Sequence, residues 1–103
     1  MPLKISFIIA AYLIGAIPVG VILSIFKGVD PRKTGSGNIG ATNVMRAAGK
    51  TLGILTLIGD ITKGFLPVAL AIYYSQPDST IALIGLATFL GHLFPVYLKF
   101  KGG

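Results

Sequence analysis

The sequence predicts an all-α integral membrane protein: about three transmembrane helices, with a cytoplasmic glycine-rich loop between the first and the second. Three observations carry this prediction. Hydrophobic residues fill 53% of the 103 positions and charged residues 12%, about half the ~25% charged residues of a soluble domain. Mean hydropathy is +0.84. Apolar stretches at 5–26, 51–74 and 81–98 each come close to the ~20 residues that a helix needs to cross a bilayer. No fixed-period repeat or long linker divides them, so 1–103 reads as a single membrane domain.

The first stretch, ISFIIAAYLIGAIPVGVILSIF, has no charge over 22 residues. A cleaved leader has an apolar region of only ~7–15 residues before a soluble chain, so a membrane span is the better reading. Gly15, Pro18 and Gly20 would weaken a soluble helix. In a bilayer, neighbouring helices re-satisfy the freed backbone and small residues allow close packing. Residues 27–34, KGVDPRKT, then leave the membrane.

Residues 35–50, GSGNIGATNVMRAAGK, form the long polar stretch. Gly, Ser, Ala and Thr let the backbone approach a ligand and offer N–H groups, while Arg46 and Lys50 add positive charge. A short helix over 39–48, stopped by Gly49, would put the small residues at its N-terminus, where unpaired N–H groups and the helix dipole favour an anion such as phosphate. Gly35, Gly37 and Gly40 also satisfy G-x-G-x-x-G, with Asp60 twenty residues after Gly40. The dinucleotide fingerprint must follow a strand, whereas polar KGVDPRKT precedes these glycines, so no such cofactor is expected.

The second span carries Asp60 and Lys63, three residues apart and on one helix face. Mutual neutralisation within a bundle and a functional site are both open readings. The third span holds His92, either bonded inside the bundle or reaching the cytoplasmic site, and Pro95, which denies Gly91 its backbone bond. One His and three scattered acids give no metal-ligand spacing, so no metal is expected. Ser36 lacks the nucleophile-elbow pattern but suits a hydroxyl donor to phosphate.

Five cations lie in 27–50, two beyond 98 and none in the turn at 75–80. Cations accumulate on the cytoplasmic side, which predicts the N-terminus outside and both the glycine-rich loop and the C-terminal tail inside. The net charge of +6 is thereby explained by topology with the lipid bilayer as partner, and nucleic acid is not implied.

Gly35-Ser36-Gly37-Asn38-Ile39-Gly40-Ala41-Thr42-Asn43, with Arg46 and Gly49, closely resembles the first motif of the bacterial acyl-phosphate:glycerol-3-phosphate acyltransferases of the PlsY type. Gly91-His92-Leu93-Phe94-Pro95 followed by Phe100-Lys101-Gly102-Gly103 resembles the start of that family's glycine-rich second motif, and DITKG at 60–64 resembles its second span. The resemblance implies an enzyme of the bacterial inner membrane, with no cofactor, that transfers an acyl group from acyl-phosphate to the 1-hydroxyl of sn-glycerol 3-phosphate to give lysophosphatidate. It implies Ser36 and Arg46 as essential, Lys63 and His92 as further catalytic groups, and phosphate binding by Gly35, Ser36, Gly37, Asn38, Gly40, Thr42, Asn43, Arg46, Lys101, Gly102 and Gly103. Such enzymes have about seven helices and twice this length, so the resemblance covers an N-terminal half. A non-catalytic membrane scaffold or remnant and a small transporter subunit are the alternatives.

Overall fold

The computed structural model describes residues 3–102. Among them every regular element is helical: α1 (Leu3–Gly15), α2 (Val19–Ile25), α3 (Ala41–Ala48), α4 (Lys50–Tyr73) and α5 (Asp78–Leu93), with short 3-10 turns at Pro31–Lys33 and Val96–Leu98. Three segments are long and apolar enough to cross a membrane, at Leu3–Ile25, Lys50–Tyr73 and Asp78–Leu98. α1 runs alongside α5, α4 packs on both, and α2 and α3 lie against the first half of α4.

The second span is as expected to within a residue. The others differ in instructive ways. The first is two helices, because Pro18 has no N–H and its ring collides with the carbonyl four residues back. Ile17 N–H turns instead to Ile14 O at 3.1 Å, and Val19 N–H to Ile17 O at 3.0 Å. The third span begins earlier than predicted, at Asp78, whose carboxylate in the first turn favours the helix dipole. Its α-helix also ends earlier, at Leu93, since the residue before a proline is pushed out of helical geometry. The tail folds back on that end, with Phe100 N–H donating to Pro95 O at 2.8 Å and Gly102 N–H to Leu93 O at 3.0 Å.

Packing is inside out relative to a soluble bundle. α4 buries Gly53, Thr56, Lys63, Pro67 and Ala71 and turns Ile58, Ile61, Phe65 and Ile72 outward, the last four 55–68% exposed. Lipid is as apolar as leucine, so helix association here rests on close approach of small residues rather than on hiding large ones. α1 and α5 meet in that way: a methyl group on Gly15 would overlap the Thr88 carbonyl, and one on Gly91 the Tyr12 carbonyl. The Tyr12 hydroxyl donates to Phe94 O and fastens the end of α5 to α1.

Candidate functional site

The glycine-rich loop is organised by one buried side chain. Asn43, 2% exposed, donates from Nδ2 towards three carbonyls, Pro31 O at 2.8 Å, Thr34 O at 3.0 Å and Asn38 O at 2.8 Å. Its Oδ1 accepts from Ser36 N–H at 3.1 Å. Gly35 lies directly against this amide with φ +56°, and a side chain there would meet Asn43 Oδ1. Both the left-handed backbone and the contact require glycine. Two smaller turns finish the loop: Ser36 Oγ accepts from Asn38 N–H at 3.3 Å, and Asn38 Oδ1 from Gly40 N–H at 2.7 Å.

That last bond is why α3 begins at Ala41 and not at Ile39. Gly40 is extended, with φ −75° and ψ 169°, and the N–H groups of Ala41, Thr42 and Asn43 project from the first turn without a bonding partner among the described residues. Ser36, Asn38, Gly40, Ala41, Thr42 and Asn43 line a cleft of about 260 Å³ with no acidic side chain among them. At the other end of α3, Gly49 stops the helix with φ 103° as expected. Lys27 Nζ caps it, donating to Ala48 O at 2.7 Å. Nothing in the local sequence pointed to Lys27, because its partner is 21 residues away.

The loop's cations are not equivalent. Arg32 is held by Asp30 through two bonds, Nε to Oδ1 at 2.9 Å and a terminal nitrogen to Oδ2 at 2.8 Å. The Arg32 side chain lowers the Asp30 pKa to about 2. A carboxyl group depressed in the folded state contributes stability above its unfolded value, ordinarily ~3.9, and loses that contribution as pH falls through the folded value. The clasp therefore holds at every pH above the carboxylate range. Lys27 and Arg32 being engaged, Arg46, Lys33 and Lys50 make no side-chain hydrogen bond or ion pair among the described residues. Arg46 is exposed in the last turn of α3, one turn from Thr42 and on the same face. Arg46 does not itself line the cleft, although Cα–Cβ bonds in a helix tilt towards its N-terminus, the cleft's end of α3.

The remaining predicted residues are elsewhere. Asp60 and His92, with Gly64, Gly85, Thr88 and Phe89, line a second cleft of about 280 Å³ between α4 and α5. The buried Nδ1 of His92 has no hydrogen-bond partner among the described residues. Lys63 lines neither cleft. It is 8% exposed, 3.2 Å from Asp60 Oδ1, and donates to Ile17 O at 2.8 Å. The spacing of Asp60 and Lys63 put them on one helix face and left mutual neutralisation and a functional site both open; the structure pairs them, and the third partner, in another span, was invisible to spacing. Lys101 is exposed and Gly102 half-buried in the folded-back tail. Neither lines the first cleft, and Gly103 lies outside the described residues.

An inside-out helical bundle of three spans, with an acid-free cleft in the loop beyond them, defines an integral membrane protein. Residues 5–103 match the family model for glycerol-3-phosphate acyltransferase, and the chain belongs to that family. The glycerol-3-phosphate acyltransferase of Geotalea daltonii is 54% identical over 103 residues, covering 100% of this chain and 53% of that protein. The Syntrophotalea carbinolica protein of the same name is 58% identical over 98 residues, 93% of this chain and 50% of its own. The crystal structure of PlsY (YgiH), an integral membrane glycerol 3-phosphate acyltransferase, in its glycerol 3-phosphate form superposes with a TM-score of 0.91 at 46% identity, over 97% of this chain and 50% of that one. Its lysophosphatidic acid form gives 0.88. The chain spans about half the length of the curated relatives it matches.

Proposed function

We propose that this chain contributes the glycerol 3-phosphate-handling part of an acyltransferase that moves a fatty acyl group from acyl-phosphate to the 1-hydroxyl of sn-glycerol 3-phosphate, giving lysophosphatidate. The observation that carries the reading is the cleft: three unpaired N–H groups at the start of α3, the Ser36 hydroxyl and an unengaged Arg46 one turn away, in a chain whose relatives bear that enzyme's name. Arg46 would clamp a phosphate bidentately and Ser36 would donate to it. The substrate hydroxyl oxygen bonds to the acyl carbon as the bond from that carbon to the phosphate oxygen breaks, and the hydroxyl proton leaves with the phosphate. No cofactor is needed, because the acyl-phosphate is already activated. Catalysis is then positioning plus stabilisation of oxyanion charge. Lys101, Gly102 and Gly103 would begin a second phosphate-binding wall.

The test is a chimaera joining residues 1–103 to the remaining half of the Geotalea daltonii enzyme, assayed in membranes for labelled glycerol 3-phosphate entering lysophosphatidate. Incorporation that requires acyl-phosphate is expected. A folded chimaera that makes none would overturn the reading.

The proposed site of action is the bacterial inner membrane, with the N-terminus and the 75–80 turn outside and residues 27–50 and the tail in the cytoplasm. The chain has no native cysteine, so single cysteines report directly. In intact cells, a cysteine at Ser79 is expected to react with an impermeant maleimide and one at Lys33 to be protected. The opposite pattern reverses the orientation.

A further inference from the structure

We infer that Lys63 is a positioning residue: its buried ammonium pins the break in the first span and so holds α2 as the floor of the anion cleft. The ammonium is engaged on two sides, by Asp60 Oδ1 at 3.2 Å and Ile17 O at 2.8 Å. Its charge is therefore paired inside the bundle, and Lys63 itself lines neither cleft. Ile17 O lies at the Pro18 break, where Val19 N–H at 3.0 Å is its one backbone donor among the described residues, and at membrane depth an under-satisfied carbonyl is costly. Lys63 supplies its second donor.

What the pin holds is α2, a helix of seven residues and too short to persist on its own propensity. α2 meets the site from below. A methyl group on Gly20 would overlap the Ile39 carbonyl and press on Val44 and Thr56. Ile39 and Val44, 5% and 0% exposed, adjoin the cleft-lining residues Asn38, Gly40 and Asn43. A displacement of α2 thus passes through Ile39 and Val44 to the groups that would hold the phosphate. Only the identity of that ligand rests on the function proposed above.

Two variants isolate the pin. Asp60→Asn keeps the Lys63 donor to Ile17 O, whereas Asp60→Asn/Lys63→Met removes it and leaves no charge between Thr51 and Tyr73, so insertion is not opposed. Nitroxides on cysteines replacing the exposed Ile22 of α2 and Ile54 of α4, in the 103-residue chain in lipid nanodiscs, report α2 by pulsed electron resonance. A narrow distance distribution is expected for wild type and Asp60→Asn, and one at least about twice as broad for the double variant. If the double variant fails to fold while Asp60→Asn folds, Asp60→Asn/Lys63→Gln, which keeps an amide donor, is expected to show intermediate breadth.

In the chimaera, relative to Asp60→Asn, the double variant is expected to raise KM for glycerol 3-phosphate about 10-fold with kcat within about three-fold, the signature of lost binding geometry rather than lost transition-state charge. An unchanged distance distribution, or a fall in kcat at constant KM, would overturn the inference. A wild-type chimaera without activity would refute the proposed function and leave the distance comparison to decide the pin.

Discussion

Arg46→Ala in the chimaera is expected to lower acyl transfer by at least about 100-fold, the range seen when one preorganised donor to a developing oxyanion is removed. Of the five cations between 27 and 50, Lys27 is drawn to the end of α3 and Arg32 to Asp30. Arg46 is the unengaged cation that shares a helix with the cleft's N–H groups. Arg46→Lys keeps the charge but loses the planar fork, and is expected to recover less than about a tenth of the activity. Helical content and membrane yield should not change, because Arg46 is exposed and supports no other group. Near wild-type turnover in both variants, at equal folded protein, would remove the phosphate clamp from the mechanism.

The second large effect is expected at Asn43, through a different cause. Its amide gathers three carbonyls and one N–H of the loop. Asn43→Ala leaves these groups without their partner, at about 1–3 kcal/mol for each that stays buried. Asn43→Asp is nearly isosteric but presents a carboxylate with no donors to the same three carbonyls, so it is expected to be at least as damaging as Ala. Both variants should lose about 100-fold in acyl transfer, since effective molarity falls steeply once the binding wall moves. Both should also expose the Lys33 peptide bond to trypsin in opened membranes. An Asn43→Asp enzyme with intact activity and an intact loop would mean that the amide does not organise the site.

The comparison of Asn43 with Lys63 shows what the sequence could and could not convey. Composition and run length were enough for the spans, and α4 lies within a residue of its expected place even though Asp60 and Lys63 interrupt its apolar run. The short helix after the glycine-rich loop, stopped by Gly49, was also legible, since small residues ahead of it and a glycine behind it mark both ends. The sequence places Asn43 among the expected phosphate-binding groups. Its actual partners are 5 to 12 residues away, at distances that obey no helical or strand period. Lys63 reaches 46 residues back to Ile17, and only the packed bundle brings the two together. The same applies to His92 and Asp60, which share a cleft separate from the one at Ser36. Spacing along a chain records local geometry, whereas these assignments depend on how spans are laid side by side.

The early end of α5 has a consequence for the surrounding lipid. Sixteen helical residues rise only about 24 Å, less than the ~30 Å of hydrocarbon in a typical bilayer. The Val96–Leu98 turn and the folded-back tail continue that segment in non-helical form. A short helix and a long one side by side meet a bilayer of one thickness unequally, the short one by local thinning and the long one by tilting. Lengthening the surrounding acyl chains is therefore expected to strain the end of α5 before it strains α4, whose 24 residues have length to spare.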